Sequence, residues 1–300
     1  MRLALSTEEP EFDLDVLFEE DGPKEEHYEC EPVQYACGVR LRRKINIDRN
    51  RNASVISRTV PISKDWNITV WEWEKPAAVV ETYWQVEQQG LALTAASYSP
   101  SRQTLLDPFG LISWPGAVVA AQEMQEYEHL IRGKKVLILG SGVGIEAQAA
   151  ASLGAGSVLA TDIHPTTLKL LEYGAKEAGF RGVISTRVLD LFSVEPLPDC
   201  DFMIVADVLY NDRLGAQVAK RCLEVRKNNS STVVLIADSQ RFVREFEKDL
   251  NQGFRALEQP RVAWVSRWLP QFTGSGVLID TDQTYSVKAR IIWIGLNTRK

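Results

Sequence analysis

Gly140-Ser141-Gly142-Val143-Gly144 follows the apolar run 136–139 and precedes an alanine-rich stretch that closes at Leu153-Gly154. A strand, a glycine turn and a helix bring backbone N–H groups and a positive helix terminus to one point, which suits a nucleotide-like ligand. Gly140 and Gly142 let the chain turn tightly and approach that ligand, and Gly144 permits close packing where the helix starts. The spacing is G-x-G-x-G, one residue short of the dinucleotide fingerprint G-x-G-x-x-G. Three acidic strand ends follow. Asp162 lies eighteen residues beyond Gly144, where a carboxylate can accept hydrogen bonds from both hydroxyls of a ribose; this identifies a nucleoside, not which one. Asp190 can take an adenine amino group with Leu191 against the ring, or can simply be a turn acid or helix cap. Ala206-Asp207-Val208-Leu209-Tyr210 sets a carboxylate and an aromatic over the switch point of an open sheet, where the reactive end of a ligand lies. A core aromatic is the plainer reading of Tyr210.

The elements that must position these residues alternate strand and helix, which implies a parallel sheet covered on both faces. Strands are expected at 136–139, 158–161, 184–189, 202–206 and 233–237. Pro165 suits the first turn of a helix with Leu168, Leu171, Ala175 and Ala178 on its apolar face, closed by Gly179. Two late candidates, 262–268 and 287–294, are joined by a link with Gly274 and Gly276 and no convincing helix; they predict an antiparallel pair at the sheet edge. Ahead of the sheet, Val39-Arg40-Leu41-Arg42 and Thr69-Val70-Trp71-Glu72-Trp73-Glu74 alternate as strands do, predicting a small antiparallel hairpin or ribbon. Trp71 and Trp73 share a face of it, read as a packing face.

Composition is that of an ordinary soluble globule, 45% apolar and 25% charged. No apolar run approaches the ~20 residues needed to span a bilayer, and the start reads neither as a signal nor as a transit sequence. Four cysteines (Cys30, Cys37, Cys200, Cys222) are scattered without metal-ligand spacing, so free thiols, no metal, and a cytoplasmic or nuclear location are expected. Residues 1–31 hold twelve acids against Arg2 and Lys24, predicting a solvated, disordered acidic arm. A sharper reading has the arm attract a basic protein or mask the basic stretch Arg40, Arg42, Arg43, Lys44. No chain-wide basic stripe accompanies it, which disfavours a nucleic-acid substrate.

Together these residues resemble the seven-strand S-adenosylmethionine-dependent methyltransferases, and more narrowly the non-histone protein-lysine group (methyltransferase-like family 16). The resemblance covers roughly residues 105–297. It rests on Trp114-Pro115-Gly116-Ala117, the glycine turn, Asp162, Asp190-Leu191 and Asp207-Val208-Leu209-Tyr210; the Asp-x-x-Tyr form is its most specific part. It implies an α/β, Rossmann-like sheet of order 3-2-1-4-5-7-6 with strand seven antiparallel, and an N-terminal β-hairpin extension. It also implies S-adenosylmethionine as cofactor, with Trp114 covering its adenosyl or methionyl part. Gly140, Ser141 and Gly142 then hold the methionyl and ribose region, with Gly144 at the helix start, Asp162 the ribose, Asp190 and Leu191 the adenine; Ala206 supplies backbone beside it. Asp207 and Tyr210 face the substrate nitrogen. Relatives often carry an aromatic where Leu191 stands, so aliphatic contact replaces stacking. The Asn-Pro-Pro-Tyr form typical of nucleic-acid amino methyltransferases is absent.

The expected organisation is an arm at 1–31, a β extension at 32–104 and a methyltransferase domain at 105–300. The expected activity is methyl transfer to a lysine side chain of a protein, by a monomer that needs neither membrane nor nucleic acid. A small molecule or a histidine side chain is the enzymatic alternative, and a cofactor-binding scaffold without turnover the non-enzymatic one. An NAD-dependent oxidoreductase is disfavoured by the glycine spacing.

Overall fold

The computed structural model describes residues 30–35, 38–48, 51–76, 79–81, 83, 107–239, 244–256, 265–273 and 284–296. The acidic arm, apart from Cys30 and Glu31, lies outside the described residues, as do Cys37, the Gly274–Gly276 link and all of 84–106. No helix among the described residues is long and apolar enough to cross a membrane.

Where a hairpin was expected there are four strands. β1 (Glu31–Tyr35), β2 (Gly38–Asp48), β3 (Arg51–Ser63) and β4 (Trp66–Trp73) pair antiparallel in sequence order. The pattern of 51–63 hid β3, because buried Arg58 and Asn52 interrupt its alternation.

The main sheet contains β5 (Lys135–Leu139), β6 (Ser157–Asp162), β7 (Ile184–Val188), β8 (Phe202–Ala206), β9 (Val233–Ser239), β10 (Val265–Thr273) and β11 (Thr284–Ile294). Their spatial order is β10-β11-β9-β8-β5-β6-β7. β5 to β9 run parallel, and β11 is antiparallel to both β9 and β10. Central β8, Phe-Met-Ile-Val-Ala, is buried at every position, as a strand covered on both faces must be. The chain winds outward from β5 to β7 and returns to β8 on the other side of β5, so the crevice opens between the ends of β5 and β8.

Helices among the described residues include α1 (Pro115–Glu126), α2 (Ile145–Ser152), α3 (Pro165–Glu177), α4 (Asp212–Asn228) and α5 (Arg244–Ala256). Prolines open α1 and α3 at positions whose N–H has no helical partner. The Asn211 side chain caps α4 by accepting from the Leu214 N–H at 2.8 Å.

The N-terminal sheet lies on this helical layer. The Trp71 ring meets Tyr173 of α3 edge-on at 5.1 Å, and the Gln148 amide of α2 donates to the Thr69 carbonyl at 3.0 Å. The basic stretch is committed to internal contacts. Arg42 donates to Glu74 at 2.7 Å, and the Arg43 guanidinium lies 5.6 Å over the Trp71 ring centroid and 3.5 Å from Glu177. Among the described cysteines, Cys30, Cys200 and Cys222 are free, and burial pushes the Cys200 thiol up to about 12.

Trp71 therefore joins the N-terminal sheet to α3. Trp71→Ala is expected to cost about 3–5 kcal/mol in urea unfolding, as large-to-small changes of a buried indole do. A loss below about 1 kcal/mol would show that the N-terminal sheet is held by other contacts.

Candidate active site

β5 delivers the chain into its turn at Gly140, whose φ of +69° belongs to the left-handed region. A Cβ there would stand 2.6 Å from the Val208 methyl, so any side chain would be both strained and crowded. At Gly144, the N-cap of α2, a Cβ would meet Leu171 at 2.5 Å, which is the close packing the sequence suggested. β6 holds the turn from behind. The Ser141 N–H donates to the Thr161 carbonyl at 2.9 Å, and the Gly142 N–H donates to Asp162 Oδ2 at 3.0 Å. Asp162 Oδ1 accepts from the His164 N–H at 2.9 Å. Asp162 thus braces the turn, and its remaining lone pairs keep the capacity to accept hydroxyls. Burial pushes its carboxyl up to about 6, against these backbone donors.

Around the turn is a narrow, half-open cleft of about 30 Å³. Of the residues expected from sequence, Trp114, Gly140, Ser141, Gly142, Gly144 and Ala206 line it, together with Ile112, Ser113, Ala117, Val143, Ile145 and Glu146. Asp162, Asp190, Leu191, Asp207 and Tyr210 stand behind or beside that wall. Asp190 closes a local turn, its Oδ1 accepting from the Phe192 N–H at 2.8 Å. Leu191 is buried, and its carbonyl accepts from Gln217 at 2.6 Å and Arg221 at 3.0 Å.

Asp207 departs most from its expected placement. Its φ is +53°, a conformation that Asp tolerates better than most residues but that still stores strain. Its Oδ2 accepts from the Gly116 N–H at 2.6 Å, and its Oδ1 from the Ser239 N–H at 2.6 Å and hydroxyl at 2.7 Å. In this geometry the buried carboxylate ties α1 to β9 and does not project toward open space. Gly116 is glycine for room: a Cβ would stand 2.7 Å from the Asp207 carboxylate. The Trp-Pro-Gly-Ala and Asp-x-x-Tyr segments are thereby two halves of one contact.

Tyr210 points the other way. Its hydroxyl donates to Asp107, and its ring meets Phe109 edge-on at 5.7 Å. Phe109 also stacks edge-on against Trp114 at 6.1 Å, whose indole N–H donates to the Phe109 carbonyl at 2.7 Å. Burial and the Asp107 carboxylate hold the Tyr210 hydroxyl well above its ordinary range.

Two acids escaped sequence reasoning. Glu72, buried behind the wall, accepts from the Ser113 N–H at 2.7 Å and the Ser113 hydroxyl, and is held by Arg58 at 2.6 Å. Strand alternation puts it on the face opposite Trp71 and Trp73 and says nothing of what covers that face. Glu146, 3% exposed, lines the cleft from the first turn of α2; the signal for it was a lone charge in Ile-Glu-Ala-Gln-Ala-Ala-Ala-Ser. Burial, with Asp207 and Asp162 adding to it, pushes its carboxyl up to about 8. Among the described residues no group of three or more His, Cys, Asp or Glu is arranged to hold a metal.

Glu72→Ala, which strands Arg58, is expected to cost about 3–5 kcal/mol, and adding Arg58→Leu should recover part of that loss. Strictly additive losses in a denaturation cycle would deny the coupling. For pH, Glu146 sits at about 8 in the fold against 4.5 ordinarily, and Asp162 at about 6 against 3.8. The folded chain therefore retains protons that the unfolded chain releases, and stability falls as pH rises through that window. Melting temperatures of the ligand-free protein should decline from about pH 5 to 8, less steeply in Glu146→Gln. A wild-type profile that rises over this range contradicts the assignment.

The model of the lysine methyltransferase family matches residues 101–254, just over half of the chain. The electron transfer flavoprotein beta subunit lysine methyltransferase of Homo sapiens is 29% identical over 150 residues, 45% of this chain and 50% of that protein. The protein N-terminal and lysine N-methyltransferase of Gibberella zeae is 25% identical over 163 residues, 47% of this chain and 61% of its own. The chain spans about half the length of the curated relatives it matches. The crystal structure of a ribosomal protein L11 methylase from Lactobacillus delbrueckii subsp. bulgaricus is 18% identical, covers 78% of this chain and 97% of its own, and superposes with a TM-score of 0.40. The family model covers the pocket-wall segment, the glycine turn, Asp162 and the Asp207–Tyr210 segment alike, and by that match the chain belongs to the lysine methyltransferase family.

Proposed function

We propose that this chain is an S-adenosylmethionine-dependent methyltransferase that modifies a lysine side chain of a non-histone protein. We read its main sheet as the seven-strand arrangement 3-2-1-4-5-7-6, carried by residues 105–300 with the N-terminal sheet as an extension. The observation that carries the reading is the electrostatics of the cleft. A turn that approaches a ligand through glycine backbone is flanked by Glu146, Asp162 and Asp207. An anionic pyrophosphate at that helix start would meet the Glu146 carboxyl, whereas a cationic ligand finds its complement there. The Ser141 hydroxyl, buried in the wall with no hydrogen-bond partner, fits a ligand with polar groups of its own.

When bound, S-adenosylmethionine supplies a methyl group on a positively charged sulfur. The protein has to align an amine nitrogen with that methyl, and orientation alone can account for several kcal/mol of the barrier. Asp162 is the group for the ribose hydroxyls, and Trp114 covers the cleft from the α1 side. Asp207 acts as a positioning residue, fixing where α1 and Ala206 stand. Tyr210, Phe109 and Asp107 form an aromatic and acidic cluster beside the wall that suits the cationic head of a lysine. That head is charged near neutral pH and gives its proton to water before transfer; no strong base is required. The acidic arm at 1–31 extends the same preference to a basic protein partner.

S-adenosylhomocysteine should raise the melting temperature and NAD should not, with a stabilisation of about 2.7 kcal/mol at a hundredfold excess over Kd. Labelled methyl from S-adenosylmethionine should appear on lysine in a protein extract. Tyr210→Ala should leave cofactor affinity within about twofold and lower transfer at least about a hundredfold. A shift with NAD alone would overturn the cofactor, label on histidine or on a small molecule would overturn the substrate, and normal transfer by Tyr210→Ala would remove that residue from the site.

A further inference from the structure

The chain enters α1 without a cap of its own. Trp114, the N-cap residue, makes no side-chain hydrogen bond to the helix, and the backbone on either side of it is held by carboxylates from other elements. Gly116 is held by Asp207. Ser113 is held by Glu72 of β4, whose Oε1 accepts from the Ser113 N–H at 2.7 Å and from the Ser113 hydroxyl as well. The other oxygen, Oε2, accepts from Arg58 Nε of β3 at 2.6 Å. All three side chains are buried: Glu72 is 1%, Ser113 2% and Arg58 4% exposed. Hydrogen bonds to an ionised acceptor are short and strong, so Ser113 has little freedom relative to β4.

Ser113 and Trp114 both line the cleft. The Trp114 indole N–H donates to the Phe109 carbonyl at 2.7 Å, which fixes the ring to the same short stretch of chain. One oxygen on β4 therefore decides where this part of the wall stands. The family match begins at residue 101; Glu72 and Arg58 precede it, so the support comes from the N-terminal sheet. Glu72 combines two roles that chemistry can separate. Oε2 and Arg58 form a buried ion pair, which apolar side chains of similar volume can replace with little loss of stability. Oε1 is the acceptor for a buried N–H, and no apolar side chain can replace that.

We infer that Glu72 is a positioning residue for methyl-donor binding: through Ser113 it sets the seat of Trp114, and the N-terminal sheet is thereby part of the donor site. This rests on the methyl-donor reading above. It follows that donor affinity depends on an acceptor oxygen at position 72, whether or not that oxygen is charged.

Two double variants divide the roles, read by calorimetric titration with S-adenosylhomocysteine and by melting of the ligand-free protein. Arg58→Met with Glu72→Gln removes the ion pair and keeps an oxygen for Ser113, whereas Arg58→Leu with Glu72→Leu removes both. The first pair should bind S-adenosylhomocysteine within about threefold of wild type, and the second at least about tenfold more weakly, with the two melting at similar temperatures. Equal affinity in the two pairs would mark Glu72 as a structural acid and overturn the inference, as would affinities that merely follow melting temperature. Where the leucine pair does not fold, Glu72→Asp decides, because it keeps the charge for Arg58 but is one methylene too short to hold Ser113 as well. It should bind at least about threefold more weakly than the Met and Gln pair, and wild-type affinity in it overturns the inference. If wild type does not bind S-adenosylhomocysteine, the methyl-donor reading falls and takes this one with it, a result that the wild-type titration shows by itself.

Discussion

The Asp207 carboxylate accepts hydrogen bonds from Gly116 in the first turn of α1 and from both the backbone and the hydroxyl of Ser239 at the end of β9. Three distant stretches of chain meet on one side chain, and the other site features are set by it. The backbone at Asp207 is held at φ +53°, which costs of order 1–3 kcal/mol at such positions. Charge-assisted hydrogen bonds to buried N–H groups are each worth roughly 1.5–3 kcal/mol, so the strained conformation is sustained. The negative charge also faces the start of α1, where a helix favours it. Because the tie is short, it fixes the distance between α1 and the end of β8. Trp114 and Ala206 are consequently opposite walls of one cleft. It also explains the glycine in Trp-Pro-Gly-Ala by volume, not by backbone angle.

The N-terminal sheet reaches the same wall by a second buried acid. Glu72 holds Ser113 on one oxygen and Arg58 on the other. Segment 113–116 is thus pinned at Ser113 by Glu72 of the N-terminal sheet and at Gly116 by Asp207 past the end of β8. An extension placed before a catalytic domain is often read as a recognition module. Here its contacts with the domain run through the hydrogen bonds of Glu72 to Ser113 and of Gln148 to Thr69 and through a buried indole, so it is part of how the site is shaped. The arginines of β2 agree with that view. Arg42 and Arg43 satisfy Glu74, Glu177 and the Trp71–Tyr173 face, leaving less of the basic stretch for an outside partner than its sequence suggested.

What the sequence made legible was local. The parallel strands announced themselves because a strand covered on both faces needs an unbroken apolar run, and 136–139 and 202–206 supply it. The glycine turn was legible for a similar reason: only glycine fits at Gly140. Pro165 and Gly179 bracketed α3 by rules of helix termini. The contacts that were not legible join residues far apart in the chain. Glu72 went unnoticed because alternation describes one strand and cannot tell what covers its other face. Asp207 was recognised as important, but its direction depends on Gly116 and Ser239, which no local pattern connects to it. Arg58 and Asn52 concealed β3 by breaking alternation with polar groups whose partners lie elsewhere. Long-range polar pairing is where periodicity stops being informative.

Among the charged groups, burial decides which matter. Exposed pairs such as Arg132–Glu128 and Lys169–Glu172 contribute little, since such pairs are typically worth ~0–1 kcal/mol. The buried acids are in a different regime, where an uncompensated charge costs several kcal/mol. Each has a distinct resolution. Glu72 is neutralised by an arginine, Asp207 by donors on two elements, and Asp162 by the N–H groups of the turn it supports. At Glu146 burial and the neighbouring acids push its own carboxyl up to about 8. The burial of Glu146 is thus left without an opposite charge, at a position in the cleft wall.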